Sequence, residues 1–391
     1  MIYEWDTSHQ MFPSVQYTGP PDGPLVDELT VAMRGLPKVE LHAHLSGCMR
    51  FNTLQELAGR RDLGVPRSIL RDLHGAAVLS EPARTYGDSF LPWQRVINQI
   101  TAKPDLNYRL AYEVAQDMAQ DGVVHAELRT SAKLPFDAGA FDATLESINA
   151  AAAAALQKEG IDVRLILGFN RRRLRRLESD EQLKVLDQVL EVAGQFKGLV
   201  VGFDVWGNEK ASPPRAFRQL FETIRSAGYL ITVHAGEAGR ADHIEQAIRL
   251  LQCRRIGHGN MMSHRPALFD LVAASKVGVE VCLTSNYLTG MVSTLRSHPI
   301  TEMIRRGLTV CLCADNTLVY ATSLSREYAR ALAAGLTSPE TLLDIAESAA
   351  AMTFLPISER EELQRRLSPD EKLKARLLTS LRSSLPAHVE L

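Results

Sequence analysis

The chain has 391 residues, 45% of them hydrophobic and 23% charged, with a formal net charge of -2 and 5 cysteines. Such a length buries a sizeable core, and the near-neutral balance excludes a whole-molecule field for nucleic acid or anionic lipid. No apolar run reaches the roughly 18 residues of a membrane span, the start MIYEWDTSHQMFP lacks the basic and apolar regions of a secretion signal, and an odd cysteine count in a long chain argues against a disulfide framework. A cytoplasmic globular protein is the expectation.

Residues 1–34, rich in proline, glycine and aromatics, are expected as an N-terminal arm ahead of a single domain spanning 35–391. From Leu36 onward, short β-branched runs alternate with stretches of helical period. The runs predict strands over 39–45, 123–129, 163–169, 199–205, 231–237, 254–259, 277–286 and 308–316. Helices are predicted over 106–120, 141–158, 180–196, 214–227, 241–251 and 267–274. Eight strands separated by helices is the count of an α/β protein of the (β/α)8 TIM barrel type. The rival, a doubly wound open sheet, wants a glycine-rich phosphate loop after its first strand, and the sequence has none there. The long connection over 47–105 carries extra helical segments expected to cover the barrel mouth, and the chain after Tyr328 reads as helical.

In a barrel, the chemistry gathers where the strands end. The first strand ends His42-Ala43-His44, whose spacing puts both imidazoles on one side. The fourth ends Asp204-Val205-Trp206-Gly207, the fifth His234-Ala235-Gly236-Glu237, the sixth His258-Gly259, the seventh Thr284-Ser285-Asn286 and the eighth Asp315-Asn316. Imidazoles with one carboxylate suit zinc: His42, His44, His234 and Asp315 supply the donors and leave room for a water, whose pKa such an ion lowers to about 7. Glu237 is close enough to reach a substrate without ligating, and His258 is placed to bind or deprotonate the water. The layout is that of a hydrolase. Each piece alone has a bland explanation: a chance H-x-H, a hydrogen-bonded core histidine, an aspartate N-cap. It is their conjunction at successive strand ends that carries weight.

Other features are set aside. His125-Ala126-Glu127 mimics the zinc site of cytidine deaminases, but Cys311-Leu312-Cys313 lacks the C-x-x-C that such a site needs. The basic run over 171–176 is short and reads as a solvated helix start, with no nucleic-acid partner implied. His9, His74, His243, His264, His298 and His388 read as surface or structural histidines.

The segments from Leu36 to Leu45 and from Val233 to Glu237, the run Arg255-Ile256-Gly257-His258-Gly259, the run Cys282-Leu283-Thr284-Ser285-Asn286 and the pair Asp315-Asn316, in that order, resemble the adenosine/AMP deaminase family. The resemblance covers about 36–350. It implies a zinc amidohydrolase, one ion per chain, that removes the 6-amino group of a purine nucleoside. By it His42, His44, His234 and Asp315 match the metal ligands, and Asp315 also positions the attacking water. Glu237 matches the acid that protonates purine N1, a role that burial favours by raising a carboxyl pKa. His258 matches the residue that orients the water, and Gly207 a backbone donor to N3. The segment 86–97, with Phe90, Leu91 and Trp93, resembles the hydrophobic lid.

The departures concern the substrate. Adenosine-specific members carry aspartate where this chain has Ser46, so one acceptor for a 5′-hydroxyl and one charge repelling a 5′-phosphate are missing. Members acting on N6-substituted AMP have asparagine at that place. Asn316 stands where many members have a second aspartate toward N7, and an amide can still donate there. Trp206 replaces a small residue beside Gly207 and narrows the pocket. Two alternatives stay open: deamination of another amino-heterocycle, such as free adenine or an amino-pterin, and a non-catalytic binding protein. The second would lack Glu237 or His258, and both are present.

Overall fold

The computed structural model describes residues 23–83, 96–97, 100–101, 103–132, 136–368 and 371–385. Phe90, Leu91 and Trp93 of the expected lid lie outside them. Eight parallel strands pair in chain order: β1 (Lys38–His44), β2 (Val123–Ser131), β3 (Asp162–Asn170), β4 (Val200–Trp206), β5 (Leu230–Ala235), β6 (Arg255–His258), β7 (Gly278–Val281) and β8 (Val310–Leu312). A bridge between Ala43 and Asp315 closes the ring: His44 N–H donates to Asp315 O and Asp315 N–H to His42 O, both at 2.8 Å. The strands are buried almost throughout because helices cover the outside and side chains fill the inside.

Local signals set the helices. In Ala138–Glu159 the Asp137 carboxylate accepts from Ala140 N–H at 3.0 Å, and the chain leaves through Gly160 at φ 75°. Pro104–Gln120 starts on proline, which needs no N–H partner in the first turn. Below, Phe354 lies against Gly202 of β4 and Met352 against Gly278 of β7, so this segment plugs the N-terminal end of the barrel.

Three expectations are corrected. Residues 24–34 are not part of a loose arm: Pro24–Arg34 is a helix that buries Val26, Leu29, Thr30 and Met33 against Leu324–Ala333. Its i, i+3, i+4, i+7 stripe is short and lies beside a glycine- and proline-rich stretch that masks it. The run over 277–286 is not one strand. β7 stops at Val281, and Leu283–Leu288 is helical, because the carboxylate of Glu327, 43 residues away, accepts from Thr284 N–H at 2.9 Å and serves as the first-turn acceptor. Thr284, Ser285 and Asn286 therefore sit on a helical turn. β8 likewise ends at Leu312, short of Asp315, whose φ of 60° takes the chain out of extended geometry.

Candidate active site

The C-terminal ends of β1, β5, β6 and β8 bring four imidazoles and two carboxylates together. His44 Nε2 lies 3.3 Å from His234 Nε2 and 3.6 Å from Asp315 Oδ1; His42 Nε2 lies 3.9 Å from the same oxygen. One donor atom each from His42, His44 and His234 fall within 4.8 Å of one another, as do those of His42, His258, Cys282 and Asp315. The two sets share His42. Its Nε2 is buried and has no hydrogen-bond partner among the described residues, an arrangement that costs stability unless a cation completes it.

Two of the far nitrogens are held by carboxylates. His42 Nδ1 is 2.7 Å from Glu280 Oε2 and His234 Nδ1 is 2.8 Å from Asp204 Oδ2, and Arg129 bonds both carboxylates. A carboxylate on Nδ1 fixes the tautomer and aims the Nε2 lone pair at the shared centre. Burial first, then the Arg129 guanidinium and neighbouring imidazoles, push His42 far below the ordinary histidine range. Burial and His234 do the same to His44. For His234 burial also opposes charge, but Asp204 outweighs it and the affinity for a proton rises, which makes the imidazole a stronger ligand. Burial raises Asp315 to about 6. Neutral imidazoles beside one carboxylate fit a divalent ion of the zinc type.

Glu237 and His258 face this centre. Glu237 Oε1 is 3.6 Å from His258 Nε2, and their exposures are 2% and 0%. His258 and Asp315 are both non-glycine residues with positive φ, 67° and 60°, a conformation kept only where surrounding contacts over-determine it. The loop carrying Glu237 is clamped by Glu209, whose carboxylate accepts from the N–H groups of Gly236 (2.9 Å), Glu237 (3.1 Å), Ala238 (3.3 Å) and Gly239 (2.8 Å).

Around the centre, Trp206 sets its ring edge-on to His44 at 4.9 Å between centroids. It lies so closely over Gly168 that a Cβ there would fall 1.7 Å from the indole. Gly207 has φ 98°, which only glycine adopts readily. Asn316 donates to Asp315 Oδ1 at 2.5 Å and packs on Gly47, where a Cβ would fall 1.7 Å from its oxygen. Ser46 is half-buried in the turn Leu45–Cys48. Of the expected site residues only Phe90 lies outside the described residues.

Residue patterns alone missed the support of this centre. Glu280, Arg129 and Glu209 are charges inside or just beyond apolar strands, and an acid in Val-Glu-Val is the kind of signal that could have found Glu280. His298, read as bland, is buried and bonded to Asn286. His243 is buried too, 3.8 Å from Glu209, whereas His74 and His264 are exposed, as expected.

Comparison with known proteins fits this geometry. Adenosine deaminase from Vibrio parahaemolyticus is 32% identical over 353 residues, covering 88% of this chain and 99% of that protein. The N6-methyl-AMP deaminase from Arabidopsis thaliana superposes with a TM-score of 0.73 at 26% identity, over 88% of this chain and 99% of the other. An amidohydrolase from Burkhoderia ambifaria with bound Zn shares the fold, with a TM-score of 0.75 at 21% identity over 94% and 98% of the two chains. No helix among the described residues is long and apolar enough to cross a membrane. With residues 37–369 matching the model of that family, the chain belongs to the adenosine deaminase family.

Proposed function

We propose that this protein is a metal-dependent hydrolase that removes the 6-amino group of an adenine nucleoside, or of a 5′-modified or N6-substituted relative, as ammonia or an amine. The observation that carries this reading is the pairing at one barrel mouth of a convergent His42, His44, His234 and Asp315 donor set with a carboxyl and an imidazole, Glu237 and His258, that face it. His42, His44, His234 and Asp315 would hold one zinc ion per chain. A bound ion supplies Lewis acidity that makes water nucleophilic near neutral pH.

The remaining steps belong to the chain's own residues. Gly207 N–H donates to purine N3 and the Asn316 amide to N7, so that C6 faces the donor set. Glu237, buried and held by the Glu209 clamp, gives its proton to N1 as the oxygen of water joins C6. That transfer lets the ring accept the electron pair of the new bond. His258 orients the incoming oxygen and Asp315 positions it. The C6–N bond then breaks, one proton of the water going to the departing amino group and the other restoring Glu237, and the 6-oxo product remains: one water is consumed and one ammonia or amine released.

Ser46 widens the choice at the sugar end. With no carboxylate in the turn Leu45–Cys48, a 5′-phosphate meets no repulsion there, in keeping with a structural relative that acts on N6-methyl-AMP. Trp206 favours a second reading: its indole fills space beside His44, which would suit a smaller substrate such as free adenine. Amine release from adenosine, 2′-deoxyadenosine, AMP, N6-methyl-AMP, 5′-methylthioadenosine and adenine by the zinc-loaded protein tests both. Turnover of a nucleoside or nucleotide supports the first reading, adenine alone the second, and silence across the panel overturns both.

A further inference from the structure

The Asn286 amide lies between two histidines. Its Nδ2 is 2.9 Å from His258 Nδ1, and its Oδ1 is 3.0 Å from His298 Nε2. All three side chains are buried, with exposures of 0% for Asn286 and His258 and 3% for His298. Which way protons point along this chain follows from its far end, where there is a group that can only donate. The backbone N–H of Ile300 donates to His298 Nδ1 at 3.1 Å. Burial alone acts on His298 and pushes it down to about 3, so the ring is neutral. A neutral imidazole whose Nδ1 accepts carries its proton on Nε2. His298 Nε2–H therefore donates to the Asn286 oxygen, and the amide nitrogen, which can only donate, turns to His258. His258 Nδ1 is thereby an acceptor, and the single proton of its neutral ring sits on Nε2. That nitrogen has no hydrogen-bond partner among the described residues and faces Glu237 at 3.6 Å.

We infer that His298 and Asn286 are positioning residues that hold His258 as an Nε2–H donor toward the reacting atoms and keep that nitrogen out of metal coordination. The inference rests on the reading of this site as a hydrolytic centre. It separates two arrangements that distance leaves equal. His258, Cys282, His42 and Asp315 lie close enough to share an ion, but a protonated Nε2 has no lone pair to give, so the ion is left to the His42, His44 and His234 side. It also settles what His258 does: an N–H aimed at the incoming oxygen stabilises charge growing there and does not take a proton from it.

The test reads the tautomer directly, by long-range proton–nitrogen correlation on the full chain labelled with ¹⁵N-histidine, both metal-free and zinc-loaded. The His258 signals are assigned by their loss in His258→Asn. Wild type is expected to show His258 protonated on Nε2. In Asn286→Asp the carboxylate accepts from both rings, so the His258 proton moves to Nδ1; kcat is expected to fall about 10²-fold, as for loss of an oxyanion donor, with KM little changed. His298→Gln, which keeps a donor toward the Asn286 oxygen, retains the Nε2–H form and most of the rate. His298→Leu, which lets the amide turn over, gives a mixture of tautomers and serves if Asn286→Asp does not fold. An Nδ1–H ring in wild type, or one unchanged in both Asn286→Asp and His298→Leu, overturns the inference. A shifted tautomer in a protein that releases no amine from any adenine derivative overturns the functional reading and leaves this one standing.

Discussion

The two halves of the barrel interior treat buried polar groups in opposite ways. In the lower half the buried guanidinium groups are ion-paired: Arg255 lies 2.6 Å from both Glu127 and Glu280 and stacks over Phe354 at 3.7 Å, and Arg129 is paired with Asp204 and Glu280. His125 Nε2, though without a hydrogen bond among the described residues, has its Nδ1 2.7 Å from Asp162. In the upper half His42 Nε2 and His258 Nε2 are buried with no hydrogen-bond partner among the described residues. An unpaired buried polar atom costs about 1–3 kcal/mol, so two with their rings 4.7 Å apart at one barrel mouth mark valence kept for what binds there. Asp204 and Glu280 join the halves, since each accepts from Arg129 and from a site histidine. The difference teaches that the lower half is built from ion pairs made within the chain, and that these pairs aim the upper half.

The strongest way to break this contrast is to remove what the upper half is kept for. Stripping the ion with a chelator is expected to abolish amine release while circular dichroism shows the barrel intact, and added zinc restores turnover. Persisting activity without metal, checked by elemental analysis, would refute the donor set. Next comes the link between the halves. Arg129→Met leaves Asp204 without its guanidinium and Glu280 with Arg255 alone, and is expected to lower unfolding stability by about 3–5 kcal/mol and to weaken metal binding, both measurable by denaturant titration and metal competition. A loss of stability with metal affinity untouched would mean that the lower network does not orient His42 and His234. Within the upper half alone, Glu237→Gln should keep zinc bound while kcat falls by at least ~10²-fold, and a near-normal rate would remove Glu237 as the proton donor.

The lower half also makes a prediction in pH. Burial pushes the Glu127 carboxyl upward, but the Arg255 charge and His125 outweigh it and hold it at about 2, below its ordinary 4.5. A carboxyl depressed on folding stabilises fully above its unfolded value, and that contribution is lost as pH falls from about 4.5 through about 2. The contribution is on the order of 3 kcal/mol. Urea titrations across this range should show stability falling with acid in wild type and a flatter profile in Glu127→Gln; equal slopes would show that the pair contributes nothing.

What the sequence reveals follows the same division. The barrel is legible because eight β-branched runs recur between helices, and the donor set because His42, His44, His234 and Asp315 fall at strand ends, where the fold gathers its loops. The helical turn at 283–288 is not legible, because its cap, Glu327, comes from a distant helix. Nor are the clamp of Glu209 on the Glu237 loop or the bond from His298 to Asn286. These depend on which carboxylate or ring three-dimensional packing brings alongside, and no local spacing encodes it. The helix Pro24–Arg34 hides for a different reason, since a stripe of four buried positions is too short to stand out beside a glycine- and proline-rich stretch.

The smallest expected effect sharpens the comparison most, because it should touch the rim of the upper half and nothing beneath it. Ser46 is half-buried in the turn Leu45–Cys48, directly after His44. Ser46→Asp adds an acceptor for a 5′-hydroxyl and a charge that opposes a 5′-phosphate. A hydrogen bond to a charged group contributes about 1.5–3 kcal/mol, and repulsion at a half-exposed rim is damped by solvent. The ratio of kcat/KM for adenosine over AMP should therefore rise about 10-fold or more, while Tm and metal content stay near wild type. An unchanged ratio would mean that the sugar end does not reach this turn, and selectivity would then fall to Trp206. A changed ratio accompanied by a large loss of Tm would mean that rim and lower network are coupled after all, and the division between the two halves would fail.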